Sequence, residues 1–275
     1  MNLSTHHMPT QDKDDIIIEA RDLSLTFSGD DKRESYKVLK DINLSIKKSE
    51  FVSLVGPSGS GKSTMLNLLA GYIRPSEGTV LLHDQEITGP LSKVGVVFQK
   101  ANLYPWLSCA ENIGFGPKMK KLDKKEIDKI TERYLKLVSL EDFKDFYPSE
   151  LSGGMQQRVS IARSLANSPE VLLLDEPMGA LDALTRSEIQ SMIRNIWIKT
   201  GMTFFMITHD IDEAMMMSNR ILVLGGRPGK IISEYTTDFY KEIDENLEDI
   251  VYSDEYIKMK DNILKEINQK GATAY

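Results

Sequence analysis

The chain alternates between short apolar runs and longer segments with helical spacing. Near the N-terminus, Ile16–Ala20 and Leu23–Phe27 have the apolar content of strands, and Tyr36–Ile46 continues with apolar alternation. Further strand-length apolar runs are predicted at Phe51–Val55, Gly78–Leu82, Val94–Phe98, Val171–Leu174, Thr203–Ile207 and Ile221–Leu224. Helical stretches separate the later runs, among them Ser63–Ala70. Strand–helix alternation of this kind predicts an α/β fold with a mainly parallel sheet.

The pattern changes after Gln99. From Ala110 to Glu150 the chain is charged, with apolar residues at helical spacing, and Leu151–Ala166 follows as a helix that begins at glycines. The segment of about 100–159 is therefore interpreted as a helical subdomain inserted between strands.

The two ends of the chain differ from its middle. Residues 1–15 are polar and are predicted to be a disordered leader. The tail, 236–275, contains ten Asp or Glu residues against five Lys. Its helical spacing at Ile257, Leu264 and Ile267 predicts a short helix packed on the main domain, which spans 16–235.

Composition narrows the class of protein. The 275 residues are 41% hydrophobic and 27% charged, enough for one substantial domain or two joined subdomains. The net charge of -7 disfavours a nucleic-acid partner. No apolar run approaches the roughly 20 residues of a membrane span. The single cysteine, Cys109, excludes an intrachain disulfide and fits a reducing compartment.

A glycine-rich loop lies between a predicted strand and a predicted helix. The sequence matches G-x-x-x-x-G-K-[ST] with Gly56, Pro57, Ser58, Gly59, Ser60, Gly61, Lys62 and Ser63. Glycines allow successive backbone N–H groups to turn toward phosphate oxygens, and the following helix adds its positive N-terminal end. Lys62 is expected to reach the β- and γ-phosphates, Ser63 to bind Mg²⁺, and Thr64 to lie near the α-phosphate.

A second motif is an apolar strand that ends in two carboxylates. Val171–Leu174 is followed directly by Asp175 and Glu176. Charge burial is costly without partners, so this ending indicates a function. Asp175 is placed to hold Mg²⁺ through water, and Glu176 to activate the attacking water as a general base. Alone the motif is weak, but downstream of a phosphate loop it is strong.

The segment Leu151–Arg158, with the sequence LSGGMQQR, resembles the signature of the ATP-binding-cassette ATPases. Ser152 and the glycines could also simply cap a helix, but that does not explain their place before an acidic strand end. The resemblance spans about Ile16 to Glu234. It implies a P-loop NTPase core with a mainly parallel sheet, an N-terminal antiparallel β subdomain and an inserted α-helical signature subdomain.

The resemblance implies roles for single residues near the phosphate loop. Gln99 matches the glutamine that senses Mg²⁺ and water, and His209 matches the histidine that contacts the γ-phosphate. Phe27 is the candidate for stacking on adenine. Tyr36 is the alternative, and either aromatic could instead belong to the core.

The resemblance also implies a head-to-tail dimer of two copies. Ser152, Gly153 and Gly154 of one copy would bind the γ-phosphate of ATP held by the other, and Asp182 lies in the loop that reaches across. Met155 departs from the commoner glutamine of the signature. The expected ligands are ATP and Mg²⁺, and the expected activity is ATP hydrolysis.

Three segments indicate a branch of the family. Asp175–Arg186, Tyr104–Leu107 and Gly226–Gly229 resemble the importers of nitrate, sulfonate and taurine type. That branch implies a membrane permease, an external solute-binding protein and a peripheral position on the cytoplasmic face of the membrane. A permease helix would enter a groove near Gln99, which Tyr104, Trp106 and Met119 could line unless they pack within the helical subdomain.

Two other functions remain open at this point. One is a soluble cassette protein of translation or DNA repair, which the single phosphate loop, the single signature and the lack of sustained heptads disfavour. The other is a nucleotide-binding scaffold without hydrolysis, which the presence of Lys62, Glu176 and His209 disfavours.

Overall fold

The structure is a computed structural model that describes residues 15–28, 35–179, 181–241 and 243–271. The predicted leader, apart from Asp15, lies outside the described residues, as does Ala180 in the predicted cross-dimer loop.

An antiparallel sheet is formed by the N-terminal part of the chain. Its strands are β1 (Ile16–Phe27), β2 (Tyr36–Lys47), β4 (Glu77–Leu82) and β5 (Gln85–Glu86), in the order β2-β1-β4-β5. The two predicted runs at the start are one strand. Its register shifts between Ala20 and Leu23, where Asp22 has a φ of 47°, and this irregularity explains the break in the apolar pattern.

The main sheet has six strands. They are β3 (Phe51–Val55), β6 (Val94–Val97), β7 (Val171–Asp175), β8 (Thr203–Ile207), β9 (Arg220–Gly225) and β10 (Lys230–Thr236). The order is β10-β9-β3-β8-β7-β6, and every pairing is parallel except that of β9 with β10. The predicted mainly parallel sheet is confirmed, while β10 was not predicted because its mixed polar sequence sits at a sheet edge.

Three helices follow strands of the main sheet. They are α1 (Lys62–Leu69) after β3, α5 (Ala183–Thr200) after β7 and α6 (Ile211–Met217) after β8. Asp182 and Asp210 are the N-caps of α5 and α6: Asp182 accepts from one backbone N–H of the first turn, and Asp210 accepts from two.

Between β6 and β7 lie three more helices with their own apolar cluster. They are α2 (Cys109–Met119), α3 (Lys124–Leu137) and α4 (Gly153–Leu165), joined by 3-10 turns at Glu141–Phe143 and Pro148–Glu150. The predicted helical stretch 110–150 is therefore two helices and two tight turns. Cys109 is buried in this cluster, and burial raises the pKa of its thiol to about 11, so the group is inert at neutral pH.

Strand β7 shows why the central runs are continuously apolar. Val171 and Leu173 join a core facing α1 and the antiparallel sheet, whereas Leu172 and Leu174 join a core on the opposite face with residues of α5. All four side chains are fully buried. One face of β7 is covered by helices, and the other is covered by a helix and the antiparallel sheet. Every position of the strand must therefore be apolar.

The C-terminal tail differs from the single short helix that was predicted. It contains α7 (Ile243–Val251) and α8 (Asp254–Gly271), which is 18 residues long. Ser253 starts the second helix, because its hydroxyl accepts a hydrogen bond from the backbone N–H of Tyr256. The Tyr256 ring is only 2% exposed, and its hydroxyl donates to Asp212 on α6 at 2.8 Å.

Within the described parts of the chain, no helix combines the length and apolar character required to cross a bilayer.

Candidate nucleotide site

The phosphate loop connects β3 to α1. Gly59 and Gly61 have φ values of 77° and 102°, a conformation that favours glycine. A Cβ on Gly56 would lie 2.3 Å from the backbone oxygen of Leu224. The loop thus takes a path that side chains would prevent. Helix α1 begins directly after it with no side-chain cap, which leaves N–H groups of its first turn for an anion.

Lys62 is turned inward at the base of this loop. Its ammonium group donates to the backbone oxygens of Gly56 at 2.8 Å and Pro57 at 3.1 Å. Ser60 Oγ is buried and has no hydrogen-bond partner among the described residues. The predicted loop residues therefore surround one concave backbone segment, with Ser63 and Thr64 on the first turn of α1.

A turn between β9 and β10 supports the phosphate loop from outside. A Cβ on Gly229 would lie 2.1 Å from the backbone oxygen of Ser60. Gly229 also exchanges backbone hydrogen bonds with β2, donating to Val38 and accepting from Lys40. The guanidinium group of Arg227 lies beside Gly59. Gly229 thus joins the loop to both sheets, a role that the sequence pattern did not indicate.

The acidic strand end lies at the same sheet edge as the loop. Strands β3, β8 and β7 are parallel neighbours, so the residues that follow them meet at their carboxyl ends. Glu176 has a φ of 42°, and its N–H donates to the backbone oxygen of Ile207 at 3.0 Å. This left-handed turn sends Glu176 back toward the edge. Such strain at a non-glycine residue is typical of functional sites.

Electrostatics link Lys62 to the two carboxylates. Burial lowers the pKa of Lys62, while the charges of Glu176 and Asp175 oppose the shift. Burial also raises the pKa of Asp175, with a further increase from Glu176 and an opposing effect of Lys62. The three charged groups therefore share one poorly solvated region, in which added phosphate and cation charges would interact strongly.

The side chains of His209 and Gln99 also lie at this edge of the sheet, close to Glu176. His209 Nδ1 lies 3.0 Å from Glu176 Oε2. A Cβ on Gly179 would lie 3.0 Å from Gln99 Nε2 and 3.4 Å from Glu176 Oε2, so both side chains flank this glycine. The structure thus brings together Gln99, Glu176 and His209, three predicted residues from distant parts of the chain.

Helix α4 holds the segment around Gln99, through residues that were not predicted. Gln157 Nε2 donates to the backbone oxygen of Phe98 at 3.1 Å, and the Ser164 hydroxyl to that of Val96 at 2.8 Å. Gln157 belongs to the signature segment, but only the fold shows that its side chain contacts Phe98, the residue before Gln99.

The signature residues lie at the N-terminus of α4. Ser152 is the N-cap, and its hydroxyl accepts from the Met155 N–H at 3.2 Å. A Cβ on Gly154 would lie 2.2 Å from Thr185 Cγ2, and one on Gly153 3.7 Å from Leu181. Within the described residues, no hydrogen bond or ion pair joins this helix start to the phosphate loop of the same chain.

Asp182 lies next to the contact between Gly154 and Thr185, at the start of α5. Its carboxylate caps α5 by accepting from the Thr185 N–H at 3.0 Å, and this hydrogen bond is the main cause that lowers its pKa. The signature helix and the start of α5 thus lie against each other in one chain.

The two candidate adenine-stacking aromatics face each other across strands β1 and β2. Phe27 and Tyr36 are register partners, and they are 49% and 50% exposed. Neither side chain belongs to the core, so both remain available to a planar ligand.

The residues predicted for a permease groove are also partly exposed. Trp106 is 70% and Met119 59% exposed, and the Tyr104 ring packs against Phe115 at 4.5 Å between ring centres. Tyr104 also packs against Trp106, with ring centres 5.8 Å apart, so it lies between α2 and the exposed Trp106.

Comparisons with known proteins agree with this geometry. The family model of the ABC transporter matches residues 39–179. The taurine import ATP-binding protein TauB of Roseobacter denitrificans is 44% identical over 232 residues, covering 84% of this chain and 87% of that protein. The nitrate import ATP-binding protein NrtD of a Synechocystis species is 46% identical over 219 residues, covering 80% and 82%.

Solved structures give the same result. A dimeric ATP-binding cassette in a post-hydrolysis state, bound to ADP and Pi, is 36% identical, with a TM-score of 0.71 and coverage of 81% of this chain and 99% of that one. The protein cbiO1 of Clostridium perfringens, part of the ABC transporter complex cbiONQ, is 29% identical, with a TM-score of 0.74 and coverage of 91% and 99%.

A parallel sheet with a phosphate loop after one strand and paired carboxylates after another defines a P-loop nucleoside triphosphatase. Within that class the chain belongs to the ABC transporter family, as its matching family model and its relatives above 40% identity establish. It is an ATP-binding, ATP-hydrolysing cassette, and the resemblance drawn from the motifs is confirmed.

Proposed function

We propose that this chain is the ATPase subunit of an importer whose solute resembles nitrate, a sulfonate or taurine. The support is the convergence of Lys62, Asp175, Glu176 and His209 at one sheet edge, together with relatives named as taurine and nitrate import proteins. The cassette is taken as 16–235 with a helical insert of about 100–159, and 236–275 as an added tail.

In this proposal the chain's residues divide the work of ATP hydrolysis. The loop Gly56–Ser63, with Thr64, holds the phosphates, and Lys62 leaves its two backbone acceptors to meet the β- and γ-phosphates. Glu176 accepts a proton from the attacking water, and His209, bonded to Glu176, fixes that carboxylate and faces the γ-phosphate. Phe27, or Tyr36 opposite it, stacks on the adenine ring.

Mg²⁺ fits the donors at this edge. Mg²⁺ prefers oxygen donors and is usually bound through one or two carboxylates together with phosphates of the substrate. Ser63, Asp175 and Gln99 supply the oxygen donors expected beside them. When bound, Mg²⁺ would neutralise charge on the transferred phosphoryl group.

Two copies would share each ATP. Ser152, Gly153 and Gly154 sit at a helix N-terminus suited to an anion but make no bond to the phosphate loop of their own chain. A head-to-tail homodimer, with Asp182 near the contact, would place them on the partner's γ-phosphate. The dimeric ADP-bound cassette of similar fold supports this arrangement.

The remaining partners follow from the proposed importer role. A membrane permease would bind near Trp106 and Met119, and an external solute-binding protein would act indirectly through it. The ATPase would then be peripheral, on the cytoplasmic face of the membrane. The alternative of a soluble translation or repair ATPase has less support, since the similar protein cbiO1 is part of a transporter complex.

The site assignment is tested by two variants in the full chain. Glu176→Gln should bind Mg-ATP, hydrolyse it at least about a hundredfold more slowly and elute as a dimer in size-exclusion chromatography. Lys62→Ala should weaken ATP binding itself. A monomeric Glu176→Gln protein with ATP bound would contradict the shared site, and unchanged ATP affinity of Lys62→Ala would contradict the phosphate assignment.

The importer assignment needs its own test. Purification of the chain with its membrane partner, followed by reconstitution in vesicles, should give ATP hydrolysis that rises when a solute-binding protein loaded with taurine or nitrate is added. If the chain copurifies with ribosomes or DNA-repair proteins and no permease, the importer role is wrong.

A further inference from the structure

A polar network connects the start of α5 to the loop that carries His209, with Thr208 and Glu213 buried and the Arg186 side chain 35% exposed. Arg186, on the first turn of α5, donates from its guanidinium group to the backbone oxygen of Leu181 at 3.3 Å. Its Nε lies 3.8 Å from Glu213 Oε1 on α6. One side chain therefore touches both the segment before Asp182 and the helix that follows His209.

The second half of the network runs from Glu213 to the His209 loop. The Thr208 hydroxyl donates to Glu213 Oε2 at 2.7 Å, and the same hydroxyl oxygen accepts from the N–H of Asp210 at 3.0 Å. The two residues on either side of His209 are thus tied, through one hydroxyl, to a single carboxylate. The Glu213 side chain is only 7% exposed, so these bonds lie in a region of low polarity.

The contact between Arg186 and Glu213 is the weakest link of the network. Its Nε is buried and makes no hydrogen bond within the described residues, and 3.8 Å is longer than a hydrogen bond to a carboxylate. A buried donor without a partner is costly, so a small shift of α5 toward α6 that closes this gap would be favourable. Because Arg186 also donates to the backbone oxygen of Leu181, closing the gap would change the position of the segment before Asp182 relative to α6.

We propose that Arg186, Glu213 and Thr208 are positioning residues for ATP hydrolysis, which hold His209 against Glu176 and couple that contact to the segment ending at Asp182. The proposal rests on the proposed roles of Glu176 and His209. The network would connect two places within one chain. One is the start of α5, where the second copy would make contact, and the other is His209, which would face the γ-phosphate.

The burial of Glu213 agrees with this arrangement. Burial raises the pKa of Glu213, Asp210 adds to the increase, and the Thr208 hydroxyl, Arg186 and His209 all oppose it. The influence of His209 is the smallest of these, and it shows that the His209 ring lies close to the buried carboxylate of Glu213.

The test compares matched variants in the full chain, with Mg-ATP and at several protein concentrations. Arg186→Met removes the donors but keeps much of the apolar volume, and Thr208→Val removes only the hydroxyl. Both should lower kcat by about tenfold to a hundredfold with little change in KM or ATP affinity, because a small misplacement of a catalytic group has effects of this size. Thr208→Ser, which keeps the hydroxyl, should restore most of kcat, and Lys199→Met, on the exposed face of α5, should have no effect.

The double variant is the sharper measurement. If the residues act as one network, Arg186→Met with Thr208→Val should lose about as much kcat as the worse single variant, not the product of the two losses. Normal kcat in Arg186→Met and Thr208→Val, with lowered Tm only, would overturn the proposal. Glu176→Gln run in parallel separates the two hypotheses. If Glu176→Gln hydrolyses ATP normally, the site assignment itself fails. If Glu176→Gln is inactive while Arg186→Met and Thr208→Val keep a normal kcat, only the positioning network is refuted.

Discussion

Replacing Gly154 by alanine is expected to damage the signature helix through a contact inside one chain. The new Cβ would lie 2.2 Å from Thr185 Cγ2, whereas ordinary contacts of this kind begin at 3.4 Å. The Asp182 cap fixes the backbone of Thr185 at the start of α5. Because threonine is branched at Cβ, few χ1 rotamers are open to it in a helix, so moving Cγ2 away is costly.

The size of the effect follows from two opposing contributions. Overpacking of this kind costs about 1–3 kcal/mol, and replacing glycine by alanine in a helix returns up to about 1 kcal/mol. The net loss should be about 1–2 kcal/mol in the free energy of unfolding. For a chain of this length this corresponds to a decrease in Tm of roughly 2–8 °C.

A second substitution makes the prediction specific. Thr185→Ser removes Cγ2 and keeps the hydroxyl and the backbone N–H that Asp182 binds. The variant Gly154→Ala with Thr185→Ser should therefore recover most of the lost Tm, and thermal unfolding of the four proteins gives the coupling energy directly. The reasoning is refuted if Gly154→Ala is as stable as the parent, or if Thr185→Ser gives no rescue. ATP hydrolysis measured on the stable double variant then shows whether a methyl group at residue 154 also disturbs the shared site.

Three further outcomes are expected. Tyr256→Phe should lower the free energy of unfolding by about 1 kcal/mol in chemical denaturation, because it removes a partly buried hydrogen bond to the carboxylate of Asp212. Equal stability of the variant and the parent would contradict this. Glu170→Gln should cost less than about 1 kcal/mol near pH 7, because this carboxylate is partly exposed. The hydrogen bond from Lys93 lowers the pKa of Glu170 below its usual 4.5, so the group stabilises the fold above 4.5 and the cost of the substitution disappears as pH falls through the lowered value. If the difference in stability between Glu170→Gln and the parent persists in acid, the lowered pKa of Glu170 is not its cause. Gly56→Ala should abolish ATP binding measured by calorimetry, because its Cβ would meet a backbone oxygen at 2.3 Å that cannot rotate away, and normal affinity would show that the loop can shift.

The elements that the sequence predicted well are those whose signal is local. Val171–Leu174 must be apolar at every position because both faces of β7 are covered, and the phosphate loop needs glycines within a few residues of each other. Strand β10 has no such signal, since an edge strand is paired on one side and can carry polar residues. The single helix expected in the tail became two, because Ser253 starts a new helix within a continuous amphipathic pattern.

The site was predictable as a list of residues but not as a set of contacts. The motifs pointed to Glu176 and His209, yet only the fold shows that they share a hydrogen bond and that Glu176 adopts a left-handed turn to make it. Gly154 illustrates the same limit. Its position in the signature suggested phosphate binding alone, while its contact with Thr185 depends on the packing of two helices that no sequence pattern links.

The turn at Gly229 has a consequence for engineering this protein. Hairpin tips on protein surfaces ordinarily accept peptide tags, fluorophores or fused domains. Here the tip is bonded to β2 and lies against the oxygen of Ser60, so any insertion would push directly on the nucleotide pocket. Tags for this protein are therefore better placed away from this turn, because a label there would disturb the loop that it is meant to report on.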